Sequence, residues 1–522
     1  MKKILVILIV LITGVGFMTY LYFSKLSNEN NAKDLALQSA TNNAALLFAF
    51  QNDKSFYQII EGQNLIQQVL GQEKSNLLAS FKSYFIKDKL LNSTISDQEI
   101  YLSVLPDEEN NLNFLITVQI QADKTFQNFY NLLKNKYPVN DEGQDIRKVK
   151  LNDSLTVFIG TKNQVITAST SKKLIVDAAV RLVENPFTDY IKQNNMHNKN
   201  VLGQIYINFN KAPLLLRNII AGNINGELSI LDKQNSFASL SYNFSKEKIL
   251  FNGITELKDA NNYLKIFEET PNQTIYITNV LPYNTANYNL YCFENYINWR
   301  KKLNNWLTKI DDIQKVENII DNVKNEYRVD LNSIFNSYTK NQFICFQLST
   351  TEKLGAVALT NGEKVKQLLI DVSTDYNADI KVFKQSDILY AFFGAPLKKF
   401  SRPFYTIIDN NLVFANNAST IESFLNSYKN DRLLLNQPSY QEALNLVSTK
   451  SNVSFYINNN NSKDIFHSSI LLSYYKHLRA DSGLKNFDTF YYQMSADGNK
   501  FITNLLLNKY LKPEIPDTIS NR

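Results

Sequence analysis

Histidine and cysteine are nearly missing from this chain of 522 residues, which has three of the first and two of the second. A metal centre of imidazole and thiolate ligands needs them clustered, and His197, His467 and His477 stand apart, with no His-Glu-x-x-His or Cys-x-x-Cys spacing. A serine hydrolase is equally poorly supported, because no Gly-x-Ser-x-Gly elbow occurs. Glycine is sparse as well. Gly222, Gly226, Gly394 and Gly498 are too scattered for a loop that cradles phosphate, so no cofactor is expected. The absence of cysteine before Cys292 excludes lipidation of an N-terminal cysteine. Cys292 and Cys345 each lie in an apolar, strand-like segment, where burial as free thiols and pairing with each other are both open.

The charge balance lacks a strong sign. A net charge of +6 is spread along the whole chain without dense Lys/Arg stripes, and no nucleic-acid partner follows from it. What is abundant is material for a core: 44% of residues are hydrophobic and 12% aromatic, which marks a globular chain. The 29 tyrosines and 33 phenylalanines suit half-buried pleated surfaces, and Trp299 and Trp306, seven apart, share a helical face. Asn-x-Ser/Thr triplets such as those at Asn92 and Asn417 are expected by chance in so asparagine-rich a chain.

One long uncharged run is present, Ile4 to Phe23. Its 20 residues at about 1.5 Å rise match a hydrocarbon core of roughly 30 Å. Lys2 and Lys3 precede it, so the positive-inside bias places the short end in the cytoplasm and exports the rest. The expected location is the bacterial inner membrane, single-pass, with the bulk of the chain periplasmic. The competing reading is a signal peptide with an apolar stretch Ile4 to Ile12 and small residues at Gly14 and Gly16. The aromatic residues Phe17, Tyr20, Tyr22 and Phe23 favour the uncleaved anchor, since they suit a membrane interface.

Laid over itself at an offset of about 245 to 250 residues, the chain repeats its pattern. NAALLFAF from Asn43 faces ANYNLYCF from Ala286, and DQEIYLSVL from Asp97 faces NQFICFQLS from Asn341. VITASTSKKL from Val165 faces LVFANNASTI from Leu412. Tyr206 to Asn208 and Tyr456 to Asn458 both read YIN. FASLSYNFSKEK from Phe237 faces FDTFYYQMSADG from Phe487. Alternation at Tyr101, Ser103 and Leu105 predicts antiparallel strands with one buried face, and Leu303, Trp306, Ile310, Ile313, Ile320 and Val323 recur at near-helical spacing. The expected fold is therefore α+β, with two tandem related units of antiparallel sheet and packed amphipathic helices, preceded by one transmembrane helix. The expected divisions are an anchor at 1–25, units at 36–258 and 280–510, a connector at 259–279 and a disordered tail at 511–522.

Acidic clusters at Asp107, Glu108 and Glu109, at Glu268 and Glu269, and at Asp311 and Asp312 read as solvated turns and helix faces, and no catalytic residue is assigned. The positive signal is basic. Arg147, Lys148 and Lys150 in the first unit and Lys398, Lys399 and Arg402 in the second each precede a strand, the second set flanked by Phe392, Phe393, Phe400, Phe404 and Tyr405. Such a turn suits an anionic headgroup, a glycan phosphate or an acidic partner.

The segment from Tyr405 to Leu444, followed by SNVSFYIN from Ser451 to Asn458, resembles an uncharacterised family of anchored bacterial envelope proteins, and Thr278 to Phe293 looks like that family's repeat opening. The resemblance implies an envelope location and carries over no catalytic residue. Two functions are weighed from the sequence. One is a non-enzymatic membrane-anchored module that binds or scaffolds an envelope protein, lipid or glycan. The other is an envelope hydrolase whose site is spread through the sequence.

Overall fold

The structure is a computed structural model, and it describes residues 35–509 except 54–55, 59–62, 108, 110, 122–123, 144, 180–184, 195–202, 223–234 and 246–247. Strands in chain order are β1 (Leu46–Gln51), β2 (Glu99–Pro106), β3 (Leu112–Gln119), β4 (Val139–Asp141), β5 (Ile146–Lys150), β6 (Thr156–Lys162), β7 (Val165–Ser169) and β8 (Gln204–Asn208). They continue as β9 (Ser236–Phe244), β10 (Lys248–Leu257), β11 (Gln273–Thr274), β12 (Thr285–Cys292), β13 (Thr339–Leu348), β14 (Lys353–Leu359), β15 (Ser373–Asp375) and β16 (Lys381–Phe383). The last are β17 (Phe404–Ile408), β18 (Asn411–Ala415), β19 (Lys450–Ser451), β20 (Val453–Asn458), β21 (Thr489–Asp497) and β22 (Lys500–Asn508).

Contacts divide the described residues into two compact groups, the first within 35–62 and 73–218, the second within 63–72 and 219–509. In the first group the antiparallel order is β4-β5-β6-β7-β3-β2-β1-β8. Helix Lys172–Ala179 closes one face, burying Leu174, Ile175 and Ala178 against Leu105, Leu115 and Ile146.

The second group pairs its strands in the order β15-β16-β17-β18-β14-β13-β12-β20-β21-β22-β10-β9. From β15 to β20 this is the first group's order. Every residue of β12 is buried because both faces of the sheet are covered. Tyr291, Phe343, Cys345 and Phe414 meet Trp299, Leu303, Val323 and Phe393 on one side. On the other, Tyr288, Ile344, Phe346 and Val413 meet Ile421, Phe424 and Tyr440. The expectation of strands with one buried face is corrected here: helices cover both faces, so the polar alternation gives way to continuous burial.

The fold expectation of two tandem sheets behind a transmembrane helix is corrected in two further respects. Residues 236–257, assigned from sequence to the first unit, form a hairpin whose second strand pairs with β22 from Lys248↔Asn508 to Thr255↔Phe501. Side chains tie this seam on both faces. Asn243 donates to Asn252, Asn252 to Asn504, and Asn504 to Gln493 at 3.4 Å. Thr255 Oγ1 lies 2.8 Å from Thr503 Oγ1 and 2.9 Å from Tyr492 Oη. Cross-strand amide and hydroxyl pairs of this kind fix register.

As for the membrane helix, no helix among the described residues is long and apolar enough to cross a bilayer. Helix Asn64–Phe81, at 18 residues, is kinked at Gly71 and carries Gln67, Gln68, Glu73 and Lys74. The run Ile4 to Phe23 and the tail 511–522 lie outside the described residues.

The connector 259–279 is folded into the second group. Asn262 caps the turn of 3-10 helix Tyr263–Phe267, whose Leu264, Ile266 and Phe267 are buried, and β11 pairs with β19. The near-helical run through Leu303 and Val323 forms two helices, Tyr296–Lys309 and Ile313–Tyr327, broken where Asp311 takes φ 62°. Cys292 and Cys345 are buried, and no disulfide joins them. Their strands are neighbours, but Cys292 faces Gln342 and Cys345 faces Asn289, and the thiols point into cores on opposite faces of the sheet.

Candidate functional site

The six basic residues read from the sequence occupy two dissimilar places. Arg147, Lys148 and Lys150 are within β5, whereas Lys398, Lys399 and Arg402 are in the connection before β17. Most are already engaged. Arg147 Nη1 donates to Asp141 Oδ1 at 2.9 Å and its guanidinium lies 5.3 Å from the Tyr130 ring centre, while Lys150 meets Asp153 at 2.9 Å. Lys148 lies 5.9 Å from the Phe158 ring centre. In the other set, Arg402 Nε donates to the Phe383 carbonyl at 3.1 Å, Lys398 lies 5.2 Å from the Tyr390 ring and Lys399 lies 5.6 Å from that of Phe400. The aromatic residues that flank this turn in sequence are core: Phe392, Phe393, Phe400 and Tyr405 are buried, and only Phe404 is partly open. They form no cage for a headgroup.

The acidic clusters are likewise structural. Asp107 Oδ1 accepts the amides of Glu109 and Asn111 in the β2–β3 turn, Lys265 pairs with Glu268 at 3.2 Å, and Tyr390 donates to Asp312. Glu108 and His197 lie outside the described residues. His477 donates from Nε2 to the Val69 carbonyl at 3.0 Å, and His467 packs edge-on against Tyr475. No group of three or more His, Cys, Asp or Glu among the described residues is arranged to hold a metal ion.

A different set of residues, missed in the sequence, lines a cleft in the second group. Its larger lobe has a volume of about 450 Å³ and includes Tyr276, Asn279, Lys340, Thr360, Asp409 and Tyr428. A smaller lobe of about 260 Å³ includes Glu294, Asn295, Ile297, Asn336 and Asn341, and it shares Lys340 and Thr360 with the first. The larger lobe lies within the range of roughly 300–1,000 Å³ typical of ligand sites, and the smaller falls just below it.

Local structure explains the lining. The β17–β18 hairpin turns through Asp409 and Asn410, at φ 44° and 59°, the positive angles a two-residue type I′ loop requires. Asn410 Oδ1 then accepts the Gly362 amide at 2.7 Å, where a Cβ on Gly362 would come within 2.9 Å of Ile407 Cγ2. Across the cleft, Gln342 Oε1 takes the amides of Tyr276 and Ile277, both at 3.1 Å, and Tyr276 Oη donates to Asn341 Oδ1 at 2.6 Å. The exposed Lys340 ammonium sits 4.1 Å from the Tyr276 ring centre.

Tyr428 Oη donates to Asp409 Oδ2 at 2.7 Å; burial first, and the carboxylate second, push its phenol up to about 12. Burial likewise raises Tyr276 well above its usual value. Both stay neutral hydrogen-bonding rings at physiological pH. Among the described residues Lys340 has no carboxylate partner, and the side chains of Asn279 and Asn336 have no hydrogen-bond partner. Asn295 is held through Oδ1 by the Asn298 amide, leaving its Nδ2 free. The cleft offers donors, acceptors and ring faces, which is the chemistry of recognition. A motif search could not find it, because its residues come from strands, helices and turns spread between 276 and 428.

Residues 348–474 match a family model described as Protein of unknown function (DUF3352), a stretch that contains Thr360, Asp409, Asn410 and Tyr428. No curated protein matches the chain. A solved structure titled Structure of crystal form IV of TP0453 is similar at 10% identity with a TM-score of 0.25, covering 45% of this chain and 86% of that one.

Proposed function

We propose that this chain is an exported bacterial envelope protein that binds an envelope component, protein, lipid or glycan, without chemical turnover, and that its binding face is the cleft around Lys340. The observation that carries the reading is the ammonium of Lys340 standing over Tyr276 between two lobes whose polar side chains are partly held, as at Asn295, Asn341, Asn410 and Asp409, and partly open, as at Asn279 and Asn336. The held groups keep their geometry, and the open ones are available to a ligand's donors and acceptors. The envelope location is supported by the resemblance of Tyr405 to Leu444. Among the described residues no particular arrangement favours the hydrolase reading: Asp409 is the one carboxylate lining the larger lobe, and Tyr428 holds it.

The test is a photo-crosslinking residue placed at the exposed Thr360 of the full chain in living cells. An adduct with an envelope component is expected from Thr360, and it should weaken when Lys340→Gln is added. Adducts no stronger than those from a position on helix Ile313–Tyr327 would sink the proposal. Protease accessibility in spheroplasts against intact cells checks the export separately.

A further inference from the structure

The cleft's two lobes adjoin at Lys340 and Thr360, which line both, and six of the described lining residues are asparagines, of which Asn341, Asn410 and Asn411 are already bonded within the protein. We infer that the cleft takes a linear, uncharged glycan at least two sugars long, laid across Lys340 with one sugar in each lobe. This rests on the reading of the cleft as the binding face and names the class of its ligand.

Three observations carry it. Free side-chain amides serve vicinal hydroxyls well, because each offers a donor and an acceptor a short distance apart. Asn279 in the larger lobe and Asn336 in the smaller have both atoms open, and Asn295 is pinned at Oδ1 with its Nδ2 open.

Charge comes second. Lys340, the one cation among the described residues that line the cleft, is flanked by Asp409 in one lobe and Glu294 in the other. A polyanion would meet repulsion in both lobes and a polycation at Lys340, so a neutral chain fits best. Lys340 can still donate to hydroxyl or ring oxygens there.

Third, each lobe has an apolar surface suited to the C–H face of a sugar ring: the Tyr428 ring in the larger, and in the smaller Ile297, which is 46% exposed on the first turn of helix Tyr296–Lys309. One sugar would engage half of these groups, and a chain across Lys340 would engage all.

The experiment is isothermal titration calorimetry of the full chain with cellotetraose, chitotetraose, tetragalacturonate and glucose. At least one neutral tetramer should bind, with glucose and tetragalacturonate each weaker by about tenfold or more. Asn279→Ala and Asn336→Ala, both at exposed positions without side-chain partners, should each weaken the tetramer by roughly two- to tenfold, the effect of one hydrogen bond. Glucose binding as tightly as the tetramers, preference for tetragalacturonate, indifference to both variants, or no saccharide binding would each overturn the inference. If the Thr360 adduct forms while no saccharide binds, the glycan is wrong and the binding face survives. If the adduct is missing as well, both fall.

Discussion

Tyr288 Oη lies 3.0 Å from Tyr440 Oη within the core of the second group, and 3.3 Å from Tyr491 Oη. Tyr456 stacks on Tyr288 with ring centres 4.8 Å apart, and all four rings are at most 1% exposed. Hydroxyls buried this deeply must satisfy one another, and β12, β20 and β21 bring three of them side by side in register.

Alkaline unfolding follows from that cluster. Burial raises all four phenols above the ordinary value, so the folded state holds their protons beyond the pH, about 10, at which an unfolded tyrosine releases them. Stability is thus fully present below about pH 10 and is lost as pH rises toward the folded values. The slope is about 1.4 kcal/mol per pH unit for each buried phenol. Absorbance at 295 nm should show exposed tyrosines ionising first and a second, steep step coincident with loss of far-ultraviolet circular dichroism. Complete ionisation of the tyrosines with the native dichroism intact would contradict it.

A fragment comparison tests where the second group begins. Since β10 pairs with β22 along eight residue pairs, a fragment of 219–509 keeps that seam, whereas 259–509 strips it and bares the β22 edge with Phe501, Leu505 and Leu507. An unpaired apolar edge invites association. The longer fragment should be monomeric by light scattering and melt cooperatively; the shorter should aggregate or melt at least several degrees lower. Equal behaviour would place β9 and β10 outside the second group's stable fold.

The tyrosine cluster and the β10–β22 seam mark what the sequence could and could not show. Strand β2 and the turn at Asp107 were legible because strand-forming composition and turn chemistry are local, though β2 is buried on both faces and not on the one face that alternation suggested, and the shared helical face of Trp299 and Trp306 was legible from spacing. The pairing of β10 with β22 was not, since Asn252 and Asn504 are 252 residues apart and an asparagine ladder looks like two ordinary polar positions. The basic turns misled for a related reason: composition gives charge but not partners, and Asp141 and the Phe383 carbonyl were the partners. In the cleft, only the Asp409-Asn410 turn had a local signal. The approach of Tyr276 to Lys340 depends on strand order, which pattern alone leaves open.

The two thiols give a redox prediction. Cys292 and Cys345 face opposite cores, and burial pushes the Cys292 thiol well up, away from the reactive thiolate. Reductant should leave the melting temperature unchanged. Ellman's reagent should react with both thiols only after denaturation. Fast reaction of the native chain, or a melting shift with reductant, would mean that a thiol is exposed or that the two are bridged.

Arg300 supplies the last test. It is 8% exposed, donates from Nη1 to the Ala391 carbonyl, lies 4.9 Å from the Phe392 ring centre, and has no carboxylate partner among the described residues. The helix Ile388–Phe393 ends at Gly394, whose φ of 77° stops it, and its last carbonyls are taken by side chains: Arg300 at Ala391, Tyr296 at Phe392 at 3.1 Å, and Tyr263 at Phe393 at 2.6 Å. A cation at that end also meets the negative pole of the helix. Arg300→Met keeps most of the stem but leaves the Ala391 carbonyl bare, against which stands relief from burying a charge. Charge-assisted hydrogen bonds contribute about 1.5–3 kcal/mol and a neutral one about 1, so Arg300→Met should cost roughly 1–2 kcal/mol net and Tyr263→Phe about 1. Urea midpoints at unchanged slope measure both. A neutral or stabilising Arg300→Met would show that desolvation of the guanidinium outweighs its bond to the helix end.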